Sequence, residues 1–523
     1  MNALLVLYAG HLSREAFEPV FDGKNSVSLS LEQGKKFPSV GKTVLFTVSG
    51  QDFSGFSGIQ TEQRDSWTKR SLLERISQLQ KGFDCIYFAF ADCPFFDPDL
   101  AGMIAQRHMR YAAEYSYADG WPSGLAPEIL SPGTAGILSK ISGDHDGPVE
   151  RDILFSIIQK DINNFDIEAE ISEVDLRCHR ISLNADSKRN LLLLKNFINA
   201  ADGKIPAASD IVKIVTEKPQ ILRTLPSFYP IQVYGGCPQS CVWCPYPMYT
   251  DSAGRKDFMD SEKFESLLDK IINFSGDAVI DLSLWGELSL HPEKLKLIEA
   301  VLNRSGLSLI IETSGIGWKD EELEKCAELS KNAVSGRSAC GAFSGIQPLS
   351  WIVSLDTSDP QRYMEIRGHG FAQAESCAKK LFSLFQKDCY VQAVRVKGAE
   401  DDTEKFFRYW KGIAPNDANI IIQKYDDFCG TLEKRQASDI SPVIRQCCWH
   451  IMRDMPILID GFVPLCKEEP AVLKGENKNI LGNIFTDSPE LIWRNGEKYY
   501  TEQCEKNYLK PCKDCDEYYT YNF

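Results

Sequence analysis

The chain is predicted to be an α/β protein, and three observations predict it. Residues 1–205 alternate short apolar runs with amphipathic stretches of helical period, and a second alternation of the same kind runs from Pro230 to about residue 430. Between them, residues 206–229 carry Pro206, Pro219 and Pro226 and no sustained periodicity, which reads as a linker. Beyond residue 430 the pattern changes again: seven of the 17 cysteines fall between Cys429 and Cys515. Strand patterns alternating with helix patterns predict sheets covered by helices. The expected division is therefore an α/β domain over 1–205, a linker over 206–229, a second α/β domain over 230–430, and a small cysteine-rich domain over 431–523.

In the first domain, Ala3–Tyr8, Val44–Val48 and Cys85–Ala89 are apolar enough for buried strands, and Arg70–Gln80, Pro98–Tyr115 and Val149–Asn163 have the spacing of amphipathic helices. In the second, the strands read as Ile231–Tyr234, Ala278–Trp285, Leu307–Glu312, Trp351–Asp356, Tyr390–Val396 and Asn419–Gln423. The helices between them read as Ser261–Asn273, Pro292–Asn303, Asp320–Ser330, Ala372–Phe385 and Thr403–Trp410. Six strands with intervening helices predict a parallel, curved sheet, a partial (β/α)6 TIM-like barrel. Active sites on such sheets lie at the carboxyl ends of the strands.

At 523 residues the chain is too long for one core. A net charge of −15 argues against wrapping a nucleic-acid backbone. No apolar run approaches the roughly 18 residues that span a bilayer. The N-terminus lacks a basic stretch and reads as a first buried strand, so a cytoplasmic location is expected. Cysteines without an export signal point to metal or redox chemistry. Cys326, Cys340, Cys377 and Cys389 are scattered and read as core thiols.

The densest chemical signal is Cys237-Pro238-Gln239-Ser240-Cys241-Val242-Trp243-Cys244, a C-x3-C-x2-C spacing after an apolar run and two glycines. Three thiolates on one tight loop suit three irons of a [4Fe–4S] cluster and leave the fourth iron open. A zinc site short of one ligand and three buried thiols are the alternatives. The motif, with aromatic Trp243 before its last cysteine, resembles the radical S-adenosylmethionine (SAM) superfamily. That resemblance implies that Cys237, Cys241 and Cys244 hold a cluster whose open iron is chelated by SAM. An electron from the cluster then cleaves SAM to a 5′-deoxyadenosyl radical, which abstracts a hydrogen atom.

Downstream residues fit the same resemblance in order. Trp285-Gly286-Glu287 resembles the family's Gly-Gly-Glu stretch at the SAM amino group, with Trp285 in place of the first glycine. Thr313-Ser314-Gly315 stands where the family has Thr-Asn-Gly. Ser354-Leu355-Asp356 resembles the stretch near the SAM ribose, and Arg367 matches an arginine that commonly follows it. Trp243, Gly286, Glu287, Thr313, Ser354, Asp356 and Arg367 are thus the expected cofactor contacts, and Gln392 and Arg395 are candidates to face the cavity. His291 and His369 are assigned no role.

In the tail, Cys448 and Cys466 are spaced C-x12-G-x4-C, and Ile457-Leu458-Ile459 followed by Asp460-Gly461 reads as a hairpin that returns Cys466 toward Cys448. Cys512 and Cys515 add a C-x2-C pair. This resembles the SPASM/Twitch extension of radical SAM enzymes, which implies one auxiliary [4Fe–4S] cluster on Cys448, Cys466, Cys512 and Cys515. A zinc ribbon on the same ligands is the alternative, and Cys429, Cys447 and Cys504 are left spare.

Two patches of the first domain, Phe90-Ala91-Asp92-Cys93-Pro94-Phe95-Phe96-Asp97-Pro98 and Trp121–Ile129, look like the sugar-nucleotide cytidylyltransferases, with their nucleotide-diphospho-sugar-transferase-like (GT-A-like) fold. That resemblance implies a divalent ion on Asp92, with Asp186 of Asn184-Ala185-Asp186 as a second metal aspartate. The family's basic, glycine-rich phosphate loop is absent after the first strand, where Ala9-Gly10-His11-Leu12-Ser13-Arg14 stands instead. The domain is expected to be degenerate. The whole order, cytidylyltransferase-like domain, radical SAM core and SPASM-like tail, is similar to a group named spiro-SPASM.

The expectation is therefore a radical SAM enzyme of oxidoreductase or maturase type acting on a peptide or protein. It would be served by an electron donor such as flavodoxin or ferredoxin. A sugar or nucleotide substrate and a non-catalytic metal-binding scaffold remain as alternatives.

Overall fold

The computed structural model describes the chain except residues 54, 57, 144–145, 250–256, 334–346, 475–478 and 521–523, so Cys340 lies outside the described residues. The chain divides between Thr224 and Leu225 into two compact units.

The first unit is built on seven strands: β1 Ala3–Tyr8, β2 Val40–Val48, β3 Gln60–Arg64, β4 Cys85–Phe90, β5 Tyr115–Asp119, β6 Glu128–Leu130 and β7 Ile167–Ile171. Their order is β3-β2-β1-β4-β6-β5-β7. The central strand β1 pairs in parallel with β2 and β4, in register from Ala3↔Cys85 to Tyr8↔Phe90. All residues of β1 and β4 are buried, as expected for parallel strands covered on both faces. The short strand β6 runs antiparallel between β4 and β5. Four of these strands, β3, β5, β6 and β7, are not among those expected from the sequence; β3, Gln-Thr-Glu-Gln-Arg, is a polar edge strand.

Two expected helices differ at their ends, and one expected linker is helical. Pro98–Tyr115 stops at Tyr111 because Ala112 takes a left-handed conformation (φ 51°) and Tyr115 enters β5. Val149–Asn163 reduces to a helix over Ile153–Ile158 followed by 3-10 turns to Asn164. The stretch expected as an irregular linker carries a helix, Ala208–Glu217, and a 3-10 turn, Pro219–Leu222. Ile211, Ile214 and Val215 give it an apolar face, and Asp97 accepts the Ala208 N–H at 2.6 Å. Pro206 and Pro219 stand outside the helix ends, where proline costs no helical hydrogen bond.

The second unit is built on a six-stranded parallel sheet in sequential order: β8 Phe228–Pro230, β9 Ala278–Asp281, β10 Leu307–Thr313, β11 Leu349–Ser354, β12 Cys389–Arg395 and β13 Ile420–Lys424. It curls as a partial barrel with helices outside. The helix Pro360–Arg367, unread in the sequence, starts on an Asp359 cap and Pro360.

Two strands differ from expectation. The first was placed at Ile231–Tyr234 but lies at Phe228–Pro230. After Ile231 bonds Asp281 O, the chain leaves β9, and Gln232 N–H donates to Ile457 O at 2.9 Å. The second was expected to reach Trp285 but ends at Asp281, whose carboxylate accepts the Ser283 N–H at 2.9 Å. Trp285 then sits at φ 46°.

Met455 and Ile457 donate to Phe228 O and Pro230 O, so a tail segment covers the edge of β8. The core that holds Trp351 and Tyr363 also holds Cys448, Ile451, Ile457 and Tyr500. The region over 431–523 is therefore packed into the same core as the barrel. Gly461 makes the expected turn at φ 87°, but its return arm β14, Phe462–Pro464, pairs with β15, Ile480–Asn483.

Candidate functional site

The carboxyl ends of the parallel strands open into a cavity of about 290 Å³. The C-x3-C-x2-C loop forms one wall. Cys244 N–H closes a turn onto Cys241 O at 3.1 Å, and Val242 N–H donates to Ile366 O at 2.9 Å, which ties the loop to the last turn of helix Pro360–Arg367. Cys237, Cys241 and Cys244 all line the cavity, with Cys237 at the exposed rim. Burial pushes the Cys244 thiol up to about 12. Burial also raises Cys241, and the Arg367 guanidinium beside it works in the opposite direction.

Gly286 and Glu287 form the next wall. Glu287 is 3% exposed. Its Oε1 accepts from Thr313 Oγ1 at 2.7 Å and from Ser289 N–H at 3.2 Å, and its Oε2 accepts from Ser314 N–H at 2.7 Å. Its own N–H donates to Gly236 O at 2.8 Å. Glu287 thus joins the end of β10, through its carboxylate, to the cysteine loop, through its backbone N–H. Gly286 has no room for a side chain: an added Cβ would stand 1.9 Å from Tyr234 O.

Arg367 donates through Nη1 to Asp356 Oδ2 at 2.6 Å and through Nε to Gln239 Oε1 at 3.1 Å. Asp356 stays behind it, with its other oxygen accepting the Val394 N–H at 2.9 Å. Asp356 was expected to line the cofactor site; its carboxylate is instead consumed in positioning Arg367. Ser354 donates to Glu312 Oε1 at 2.6 Å, and Gln392 Nε2 donates to the same oxygen at 2.9 Å. Trp243 meets Tyr425 edge-on at 6.0 Å between centroids. Arg395 is exposed and stands outside this wall. His291 is a satisfied core residue: Nε2 lies 2.9 Å from Met259 O, and Nδ1 accepts the Glu293 N–H at 3.0 Å.

Several groups of the wall were not read from the sequence: Glu312, Ser283, Lys424, Asp426, Lys467, Glu468 and Glu517. Lys467 lies 3.5 Å from Glu468, and Lys424 pairs with Asp516 at 2.8 Å and with Glu517. Burial raises Asp426 well above the carboxylate range, with the neighbouring Glu468 carboxylate adding to it. Position near a strand end was the available signal for Glu312, the penultimate residue of β10.

Behind this wall, Cys448, Cys466, Cys512 and Cys515 line one small cavity together with Cys429. Cys429 was left spare; it follows Phe428 in a turn where both take positive φ (56° and 50°). The Cys429 and Cys515 thiols are hydrogen-bonded, which lowers Cys515 and raises Cys429. Cys447 and Cys504 face each other, with sulfurs 2.7 Å apart. As the thiols stand, no three His, Cys, Asp or Glu among the described residues close round a single ion. Both cysteine groups are all-thiol donor sets, the soft ligands that iron–sulfur clusters take. The residues present therefore fit such groups: Cys237, Cys241 and Cys244 at the strand ends, and the tail cysteines behind.

In the first unit, Asp92 and Asp186 do come together, but around a side chain. Arg151 donates to both oxygens of Asp92 at 3.0 and 2.5 Å and to Asp186 Oδ2 at 3.1 Å. The divalent ion expected on Asp92 does not fit this arrangement.

Among the described residues no helix is long and apolar enough to cross a membrane. Residues 231–337 match the family described as the radical SAM superfamily. An uncharacterized protein of Treponema pallidum (strain Nichols) is 32% identical over 379 residues, covering 71% of this chain and 98% of that protein. A solved structure of native anSMEcpe with bound AdoMet is 17% identical, covers 56% of this chain and 91% of its own, and has a TM-score of 0.38. A cytidylyltransferase from Leptospira borgpetersenii is 18% identical, covers 42% of this chain and 95% of its own, and has a TM-score of 0.36. With three thiols of that family's spacing gathered at the strand ends of a parallel sheet, the second unit carries a radical SAM superfamily domain over residues 231–337.

Proposed function

We propose that this chain is an enzyme that holds a [4Fe–4S] cluster on Cys237, Cys241 and Cys244, binds SAM beside it, and oxidises or cross-links a peptide or protein. The observation that carries the reading is the convergence of the three thiols, Glu287, Ser354 and Arg367 on one cavity at the carboxyl ends of parallel strands. The radical SAM domain implies SAM and such a cluster. When bound, the pair supplies one-electron reductive cleavage and hydrogen-atom abstraction.

The chain's own residues bind and orient the cluster and SAM. The Cys237–Cys244 loop is held rigid from both sides, by Gly236 O to Glu287 N–H and by helix Pro360–Arg367. Loading of raised thiols must expel protons, so metal uptake is favoured by higher pH. Arg367 places a positive charge beside Cys241, which offsets the thiolate charge that loading creates. The backbone at Gly286–Glu287 suits the SAM amino group. The Glu312–Ser354–Gln392 group presents a carboxylate and a hydroxyl that suit a ribose. Tyr246, Leu284, Trp285, Leu458 and Val472 form a buried apolar cluster, and the first three of them give the cavity an apolar lining.

The tail cysteines support an auxiliary cluster on Cys448, Cys466, Cys512 and Cys515. A cluster ligated by four thiolates has no open iron, which suits taking an electron from a substrate radical rather than anchoring the substrate. The SPASM/Twitch resemblance of this region supports a peptide or protein substrate, and an external donor such as flavodoxin or ferredoxin completes the scheme.

The test is iron and zinc per chain after anaerobic reconstitution, with EPR of the reduced protein before and after SAM. About eight irons, with one signal shifting on SAM, is expected for two cubane clusters. About four irons with roughly one zinc would reduce the tail to a structural site. A spectrum that does not respond to SAM would remove the enzymatic reading. Candidate substrates are then separated by whether peptides or nucleotides stimulate 5′-deoxyadenosine release.

A further inference from the structure

The first unit holds a buried charge set that the proposed function does not use. Asp92 follows the end of β4 and is 1% exposed. The Arg151 guanidinium grips it through two N–H···O bonds, at 3.0 and 2.5 Å, and reaches Asp186 Oδ2 at 3.1 Å with the same Nη2 that holds Asp92. His11 Nε2 lies 3.2 Å from Asp92 Oδ1. Asp186 Oδ1 accepts from Asn190 Nδ2 at 2.8 Å. The planar cation also stands 5.1 Å from the Phe90 ring centroid.

Arg151 is delivered by a segment that is itself held. Lys69 N–H donates to Gly147 O at 2.9 Å, Lys69 Nζ pairs with Glu150 at 2.6 Å, and Ile153 N–H donates to Glu150 O at 3.1 Å. The segment is therefore fixed on both sides of the arginine. A guanidinium so placed is not a surface side chain that swings aside for an incoming ion.

We propose that Arg151 is the resident cation of the Asp92–Asp186 carboxylate pair, and that the first unit works without a divalent metal. Two buried carboxylates need a positive charge between them, and removing it leaves an uncompensated buried charge. A divalent ion would need the same oxygens at about 2.0–2.6 Å. The guanidinium nitrogens occupy that approach, and a second cation there would be repelled by the first. The carboxylate pair is therefore not built for metal-dependent nucleotidyl transfer.

The test uses the full chain and Mn2+ as the probe, with free Mn2+ read by EPR and unfolding read by circular dichroism. Wild type and Asp92→Asn are expected to bind Mn2+ alike, because Asp92 is already neutralised. Arg151→Met and Arg151→Gln free the two carboxylates. They are expected to bind Mn2+ about tenfold more tightly than wild type and to be stabilised by it. Asp92→Asn added to either should abolish the gain. Wild-type Mn2+ binding that Asp92→Asn removes would overturn the proposal. So would a folded Arg151 variant that gains no Mn2+ affinity. If neither Arg151 variant folds, the comparison of wild type with Asp92→Asn still decides it.

Discussion

Replacing Gly286 with alanine tests whether the cavity is set by backbone contact between the cysteine loop and the strand ends. The added Cβ would stand 1.9 Å from Tyr234 O and 3.1 Å from its carbonyl carbon, where 3.0 Å is the closest approach real Cβ atoms show. Neither neighbour is a side chain that can rotate away. Tyr234 is bridged to Phe258, and Gly235 N–H donates to Asp257 O at 2.9 Å. The 286–287 segment must therefore retreat by about 1.1 Å, the difference between 3.0 and 1.9. The bond from Glu287 N–H to Gly236 O, now 2.8 Å, then passes beyond hydrogen-bond reach. Overpacking of about 1–3 kcal/mol and a lost hydrogen bond of about 1 kcal/mol put the stability cost at about 2–4 kcal/mol. A displacement of about 1 Å at a positioning group costs on the order of 100-fold in rate. The assay is 5′-deoxyadenosine release per iron-loaded chain under a chemical reductant, with iron content measured on the same sample. Iron content near wild type with release down about 100-fold is the expected result. Release within about threefold of wild type would refute the reasoning, because a shift of this size could not be silent at a site built on that contact.

Cys241→Ala should abolish SAM cleavage and keep the tail cluster, whereas Cys512→Ala should lose about four irons, the content of one cubane cluster; unchanged iron in the second variant would remove that cysteine from the ligand set. Arg367→Met leaves Asp356 buried without its partner and is expected to destabilise the second unit by about 3–5 kcal/mol, with most of the loss recovered by adding Asp356→Asn. A loss under about 1 kcal/mol in thermal unfolding would contradict the buried pair. His108 is 1% exposed between Ser116 and Ser131, and burial lowers it to about 4 from an ordinary value near 6.5. Its contribution is present above about 6.5 and is lost as pH falls toward about 4, because the unfolded chain takes the proton first. His108→Gln should therefore gain about 1–2 kcal/mol on wild type between pH 7.5 and pH 5; parallel pH profiles of the two melting curves would contradict it.

Much of the barrel was legible because its signals are local. An apolar run such as Leu307–Thr313 is buried wherever it is placed, and a run such as Phe371–Phe385 has a helical face at any distance from its partners. Errors fell where a local feature was read without its surroundings. The prolines near residue 210 mark helix ends rather than a break, and the strand before the cysteine loop shifted because its hydrogen bonds pass from β9 to the tail segment at Ile457.

The sequence by itself determined the cysteine loop. A C-x3-C-x2-C spacing keeps Cys237, Cys241 and Cys244 on one short segment whatever the rest of the chain does. It also determined Thr313 and Ser354 as strand-end residues and Gly286 and Glu287 as part of the loop that follows a strand, since their order along the chain is the order of the parallel strands. Only the tertiary structure decided which of these meet. Asp356 serves Arg367 because of where helix Pro360–Arg367 packs, and Glu312 becomes an acceptor because Ser354 and Gln392 arrive on neighbouring strands. Cys429 joins the tail thiols across 86 residues, and Arg151 settles between Asp92 and Asp186 across 59 and 35. Spacing in sequence constrains neighbours within a few residues. Beyond that, sheet order and core packing choose the neighbours, and a charge such as that of Arg151 is read correctly only when its carboxylates are in view.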